Sequence, residues 1–314
     1  MNALATLSPS LPAALQTAVR DAVAASTADS TERAYRADGA AFAAFAELHG
    51  QPAVPATPAL VAAFLTAEAE AGKAMATIRR RAASISVGHR RQGEVSPCAS
   101  ELVRATLRGL ARQHGTDQRQ AAGLTRTDTA VIRSHLGNSL RDCRDLALIL
   151  CGRDLMSRSS ELVALEVAAV AFEDGGATVA LRRIKTSTAS ATYWLAGEAA
   201  EALQAWLQRA GITEGPVFRS ITKGGRVTSR SLSTRDISRI VKARAVQARL
   251  KNAEGVSGHS LRVGMAQDMT AGNIDLASIM QAGSWKSPAM VARYSAKLSA
   301  KRGAVARYYA QLGL

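Results

Sequence analysis

A mostly helical chain with a small antiparallel sheet in its second half is the fold class this sequence predicts. Three observations lead there. Residues 1–115 place apolar side chains at helical spacing, whereas residues 166–195 alternate around Asp174-Gly175-Gly176. Between them lies HGTDQRQAAGLTRT, residues 114–127, polar and poor in large apolar side chains. The expected organisation is a helical bundle over 1–115, a linker over 116–127 and a mixed α/β domain with a terminal tail helix over 128–314. A hydrophobic content of 47% in 314 residues supports cores of that size.

The elements follow in order. Ser30 is a candidate cap for a helix that Glu32 favours electrostatically, with Tyr35, Phe42 and Phe45 on its apolar side. Pro52, Pro55 and Pro58 interrupt the chain, and Thr57-Pro58 supplies an N-cap followed by proline in the first helical position. Val61, Phe64 and Leu65 continue that helix. A third helix is expected from near Lys73 through Arg79-Arg80-Arg81 to His89-Arg90-Arg91, and a fourth from Ala99 to Gln113. Beyond the linker, Asp128 is a candidate cap for a helix with Val131, Ile132 and Leu136, and Asn138 to Arg153 reads as another. Residues 166–195 predict three short antiparallel strands with Lys185 at the second turn. A helix bearing Leu203, Trp206 and Leu207, a turn at Thr222–Gly225 and a helix from Thr234 to Leu250 come next. The remainder is helical, punctuated by Gly272, Gly283 and Pro288.

Charge narrows the partners. Forty Lys and Arg against 25 Asp and Glu leave a formal charge of +15. Residues 1–120 hold 13 basic and 10 acidic side chains, so +12 of the excess falls in residues 121–314. A polyanion partner is implied, and charge alone separates neither DNA from RNA nor either from an anionic membrane. No stretch is long and apolar enough to span a bilayer, no basic leader precedes Pro12, and Cys98, Cys143 and Cys151 lack zinc spacing. A cytoplasmic protein with reduced cysteines and no metal is the expectation.

The last third concentrates chemistry suited to a phosphodiester. His259-Ser260-Leu261-Arg262, Trp285 and Tyr294 lie within 36 residues. Arg262 offers a permanent cation whose fork fits two phosphate oxygens. His259 stands three positions earlier, on the same face if the segment is helical. Of the five tyrosines, Tyr35, Tyr193, Tyr294, Tyr308 and Tyr309, only Tyr294 closely follows this cluster, and a phenol needs cations or a base to attack at neutral pH.

These residues match a family in order. Arg158-Ser159-Ser160-Glu161 resembles the R-x-x-E box of tyrosine recombinases, the phage-integrase family. His259-Ser260-Leu261-Arg262 resembles its H-x-x-R box, Trp285 its His/Trp position and Tyr294 its nucleophile. The resemblance runs from about residue 30 to Tyr309. It implies that Tyr294 attacks the scissile phosphate, that Arg158 and Arg262 clamp the non-bridging oxygens, and that His259 assists proton transfer. It further implies that Trp285 donates its N–H, that Lys185 is the general acid for the departing 5′-oxygen, and that Glu161 orients the cations. Strand exchange would then need neither ATP nor a metal, and no P-loop motif is present. The implied partner is double-stranded DNA with inverted-repeat half-sites, bound by a dimer and paired by a tetramer through a Holliday junction.

Each residue also has a plainer reading. Arg158 and Glu161 suit an ordinary ion pair, Lys185 a solvated turn with Lys223 as its competitor, and Trp285 simple core. Tyr308 and Tyr309 read as packing residues. For DNA contact the candidates are Arg79, Arg80, Arg81 and Arg90 in the first domain, with Arg235, Arg239, Lys242 and Arg244 on the helix after Ser233. LSTR, ending at Arg235, resembles the start of the family's major-groove helix, which makes Arg235 a candidate for guanine. Met156-Ser157 departs from the family, where Gly-Leu or similar apolar residues are common. The tail after Tyr294 is expected to form a helix with Val305, Tyr308 and Leu312 apolar. A nicking-closing topoisomerase of type IB and a silent DNA-binding regulator are the competing functions. An intact Arg158, Lys185, His259, Arg262, Trp285 and Tyr294 set argues against the second.

Overall fold

The computed structural model describes residues 12–116, 120–182, 190–301 and 304–312. The chain divides into two compact units, residues 1–119 and 120–314.

In the first unit the helices are α1 (Ala13–Ala25), α2 (Asp29–Leu48), α3 (Pro58–Glu70), α4 (Met75–Arg91) and α5 (Glu101–His114). Thr57 caps α3 as its sequence predicts, accepting from the Leu60 N–H with Pro58 at the first helical position. Ser30 does not cap α2. The helix starts at Asp29 after an extended Ala28, so Asp29 and Glu32 both sit in the first turn, where carboxylates interact favourably with the helix dipole. The core centres on Phe42 and Phe45 against Phe64, at centroid distances of 5.2 and 5.3 Å, with Leu65, Ile78, Ile85 and Val103 buried around them. His89 belongs to that interior rather than to the basic run. Its Nδ1 bonds to the Ile85 carbonyl at 2.8 Å, and its Nε2 accepts from the Ala56 N–H at 2.9 Å.

The second unit begins with α6 (Arg126–Ser134), α7 (Leu140–Asp154) and the short α8 (Ser159–Val163). The strands β1 (Val170–Glu173), β2 (Gly176–Arg182) and β3 (Ser190–Ala196) form an antiparallel sheet in the order β1-β2-β3. Helix α9 (Gly197–Ala210) follows, then β4 (Arg219–Ile221) pairs with β5 (Val227–Ser231) around the turn at Thr222–Gly225. Helices α10 (Thr234–Gln247), α11 (Ser260–Ala271), α12 (Leu276–Gly283), α13 (Pro288–Lys301) and α14 (Ala304–Gln311) complete the unit. The two-stranded sheet has no counterpart in the sequence reading, because strands of three and five residues carry too little alternation to register.

Two corrections concern how the second unit starts. Thr125, not Asp128, is the N-cap of α6; Asp128 is the third residue of a capping box and returns its carboxylate to the Thr125 N–H at 2.8 Å. The expected linker therefore ends early. Ala122 N–H donates to the Gly255 carbonyl and Leu124 N–H to the Ser260 carbonyl, and the Leu124 side chain is buried. Its lack of bulky side chains reads as a tether, yet one leucine and two backbone bonds are enough to dock it.

Helix α7 crosses the interior with Ala147, Leu148, Ile149, Leu150 and Cys151 all buried, against Leu203 and Trp206 of α9. Cys98, Cys143 and Cys151 are free thiols, and burial raises the Cys151 thiol far above its ordinary range. Among the described residues no helix is long and apolar enough to cross a membrane.

Close backbone approach makes Gly264 of α11 a stability determinant. A Cβ there would stand 1.8 Å from the Leu124 carbonyl oxygen, whereas a Cβ at Gly109 of α5 meets nothing within 4 Å. Gly264→Ala is expected to destabilise the protein by about 1–3 kcal/mol through overpacking. Gly109→Ala should stabilise it by roughly 0.5–1 kcal/mol through helix propensity. Denaturant unfolding of the full chain reads both shifts, and equal midpoints for the two variants would contradict this account.

Candidate active site

Four segments, α8, α11, the turn after α12 and α13, bring the predicted cluster together. Arg158 precedes α8. Its guanidinium donates to Glu161 Oε1 at 2.6 Å, and Glu161 Oε2 accepts from the Arg158 backbone N–H at 2.8 Å. Glu161 is 2% exposed, so one buried carboxylate holds Arg158 at both its backbone and its side chain. The plain ion-pair reading of this pair is thus correct as geometry, and it also fixes the direction of the arginine.

Arg262 lies in the first turn of α11 and is 1% exposed. A buried guanidinium costs several kcal/mol unless acceptors meet it. Here Nη1 donates to the Met156 carbonyl and Nη2 to the Gly283 carbonyl, and the group sits over the Trp285 ring at 4.5 Å from the centroid. Each carbonyl is presented by a position with its own constraint. Met156 adopts φ +44°, a left-handed conformation, at the point where the sequence departs from the family's Gly-Leu. That conformation costs about 1–3 kcal/mol in a non-glycine residue. Burying the Met156 side chain, 1% exposed, returns about 1.5–3 kcal/mol, so methionine is tolerated there. At Gly283 a Cβ would stand 2.5 Å from the Trp285 ring, so glycine lets the indole close over the arginine.

His259 is the residue before α11, and its Nε2 lies 2.7 Å from the Tyr294 hydroxyl. Val263 N–H donates to the His259 carbonyl, so His259 and Arg262 do share the start of one helix. The histidine keeps an exposed edge. The packed side of its ring nevertheless loses water, and together with Arg262 and Arg158 this lowers its pKa below the ordinary imidazole value. The neutral ring is therefore favoured, with Nε2 accepting from the phenol. Tyr294, on α13, is 5% exposed and tilted against Trp285 at 5.4 Å between centroids. Burial raises its pKa, while Arg262, Arg293 and Arg158 oppose that rise. A buried phenol facing a neutral imidazole, ringed by arginines, can give up its proton once an anion arrives to balance the cations.

Lys185 lies outside the described residues. The strand after it is tied to this cluster, since the Tyr193 hydroxyl on β3 is 3.1 Å from Ser284 Oγ, beside Trp285. Its competitor Lys223 is exposed in the β4–β5 turn. That turn is held by a bond from Arg141 to the Thr222 carbonyl, at the start of α7, whereas Met156 follows the end of α7. About 20 Å of helix separates the two ends, at 1.5 Å per residue.

The basic residues read as DNA contacts divide into two kinds. Arg79, Arg90 and Arg235 are exposed. Arg239 is 74% exposed beside Asp236, Lys242 pairs with Glu254 at 2.8 Å, and Arg80 pairs with Asp38 at 2.6 Å. Two others do not present their charge outward. Arg81 lies over the Phe64 ring and pairs with Glu68 at 2.7 Å. Arg244 pairs with Asp142 and Asp145 at 2.8 and 2.7 Å. Each is the cation of a half-buried acidic pocket, a role that charge counting along a helix does not distinguish. Sequence reasoning also missed the Met156 and Gly283 carbonyls, the Ser284 hydroxyl and Gln267, whose Nε2 donates to the Tyr294 carbonyl at 3.1 Å. Backbone acceptors leave no signal in residue identity. Among the described residues no group of three or more His, Cys, Asp or Glu is placed to hold a metal ion.

Known proteins resemble this chain in sequence and fold. The Recombinase cre of Escherichia phage P1 is 30% identical over 257 residues, 75% of either chain. An integrase/recombinase xerD homolog of Selenomonas ruminantium is 31% identical over 282 residues, covering 86% of this chain and 82% of its own. A lambda integrase dimer bound to a COC′ core site has a similar fold, with a TM-score of 0.61 at 17% identity over 89% of this chain and 93% of that one. The profile of the phage integrase family matches residues 124–301, from the docked Leu124 through the Tyr294 helix. With more than half of the chain matched, and relatives of 30% identity along three quarters of it, the protein belongs to the phage integrase family of tyrosine recombinases.

Proposed function

We propose that the protein cleaves and rejoins double-stranded DNA at a specific site through a 3′-phosphotyrosyl intermediate, and exchanges strands through a Holliday junction. The observation that carries this reading is the 2.7 Å contact between the Tyr294 hydroxyl and His259 Nε2, beside the Arg262–Trp285 stack. In the proposed first step the Tyr294 oxygen attacks phosphorus and its proton passes to His259. The bond to the 5′-oxygen breaks, and Lys185 protonates that oxygen. Arg158 and Arg262 bind the non-bridging oxygens, where negative charge builds in the transition state. In the reverse step a 5′-hydroxyl, from the same or a partner strand, attacks the phosphotyrosine and releases the phenol. The number of phosphodiester bonds is conserved, so ATP is not required.

Tyrosine recombination also needs two sites to be held together. The proposed partner is DNA carrying inverted-repeat half-sites, with two protomers on each site and four in synapsis. Arg235 in the first turn of α10 is the proposed base-reading residue, and Arg79 and Arg90 are proposed phosphate contacts in the first unit. The exposed Val305, Tyr308, Tyr309 and Leu312 around α14 suit contact with a neighbouring protomer.

Three outcomes test this reading. Suicide substrates nicked near the cleavage position, incubated with EDTA, should trap a covalent protein–DNA adduct with the native chain and none with Tyr294→Phe. Specific binding without any adduct would instead indicate a DNA-binding protein of this fold. Second, single-turnover cleavage should fall as pH drops, because His259 must be neutral to accept the proton. An unchanged acid limb in His259→Gln would remove His259 from that role. Third, Arg262→Lys should slow cleavage by about 10²–10³-fold, since an ammonium cannot span two carbonyls and a phosphate at once. Cleavage within a few-fold of the native rate would show that the buried guanidinium serves packing alone.

A further inference from the structure

Helix α11 contacts Tyr294 twice. His259, just before the helix, reaches its hydroxyl at 2.7 Å, and Gln267, eight residues on and so on the same face, donates from Nε2 to its backbone carbonyl at 3.1 Å. The two contacts bracket the nucleophile, one at the reacting end of the side chain and one at its root.

The same stretch of α11 grips the first residues of the second unit, ahead of and at the start of α6. The Leu124 carbonyl packs against Gly264 at a distance that excludes any Cβ. Asp268 accepts from the Arg126 N–H at 2.7 Å and from Arg153 at 2.5 Å. Between these lies Gln267, pressed against Gly123: a Cβ at residue 123 would stand 2.1 Å from Gln267 Oε1 and 2.8 Å from its Cδ. One amide thus touches the chain at Gly123 with its oxygen side and the nucleophile's backbone with its nitrogen.

We propose that Gln267 is a positioning residue that sets Tyr294 for attack and makes that setting depend on where the chain ahead of α6 lies at Gly123. The inference rests on Tyr294 being the nucleophile, as proposed above. It assigns a role to a pair of residues that touch neither phosphate nor leaving group. A shift of the segment toward α11 would push the amide away from Tyr294, so the placement of residue 123 becomes an input to the rate of cleavage.

The geometry supplies its own control. Gly123 does not have a positive φ, and the atoms a Cβ would meet belong to the end of a flexible side chain. Gly123→Ala should therefore displace the Gln267 amide without disrupting the fold. The experiment measures single-turnover adduct formation on nicked suicide substrates, half-site affinity and unfolding midpoint for the native chain, Gly123→Ala, Gln267→Ala and the double variant. Each single variant is expected to slow adduct formation by about tenfold at unchanged affinity and midpoint, since small misplacements of a reacting group are costly. The double variant should be no slower than the slower single, because both remove one contact.

Native rates in either single variant, or multiplied effects in the double, would overturn the coupling. Losses that track affinity or midpoint would reduce Gln267 to a structural residue and overturn it equally. Failure of the native chain to form an adduct would defeat the nucleophile assignment and this inference with it. A normal native chain with unaffected variants would defeat the inference alone.

Discussion

The buried guanidinium of Arg262 is the constraint around which the candidate site is organised. A full charge at 1% exposure must be surrounded by acceptors, and two of these come from backbone carbonyls on segments far apart in sequence, Met156 and Gly283. Satisfying it forces the chain after α7 and the chain after α12 to converge on the first turn of α11. That convergence carries Arg158 in with the first segment and Trp285 with the second. Trp285 then lies against Tyr294, and His259, one turn before Arg262, meets the phenol. The arginine is thus both a charge for chemistry and the reason the other groups stand where they do.

Electrostatics explain why such a site can rest at neutral pH without reacting. The cluster holds Arg158, Arg262 and nearby Arg293, with Glu161 as the buried carboxylate that engages Arg158. Burial, reinforced by Arg262 and Arg158, lowers His259, and burial raises Tyr294 against the pull of Arg262, Arg293 and Arg158, so the resting pair is a neutral imidazole and a neutral phenol. A phosphodiester supplies the missing negative charge. The site is therefore poised against a polyanion and quiet without one, consistent with the uneven distribution of charge along the chain.

The same charges serve two ends elsewhere, and only surroundings tell them apart. Arg81 and Arg235 are both arginines on basic helices. One lies over Phe64 and faces Glu68 and Asp38, while the other is exposed in the first turn of α10. Arg244 likewise locks α10 to α7 through Asp142 and Asp145. The 40 Lys and Arg thus overstate the cations available to an anion, because part of them hold helices together through paired carboxylates.

Residue identity and order determined the helical first unit, the β1–β3 strands, the cap at Thr57 and the grouping of His259, Arg262, Trp285 and Tyr294, to which the family resemblance added Arg158 and Glu161. These are local or chemical properties: apolar spacing, turn residues and side chains with few uses in combination. Tertiary structure decided the rest. The early end of the linker at Ala122, the two-stranded β4–β5 sheet, the inward turn of Arg81, Arg244 and His89, and the separation of Lys223 from the cluster by the length of α7 all depend on contacts between distant segments. So do the Met156 and Gly283 carbonyls and the amide of Gln267. Every residue carries the same backbone acceptor, and only the folded chain decides which of them a buried arginine or a reacting tyrosine will meet.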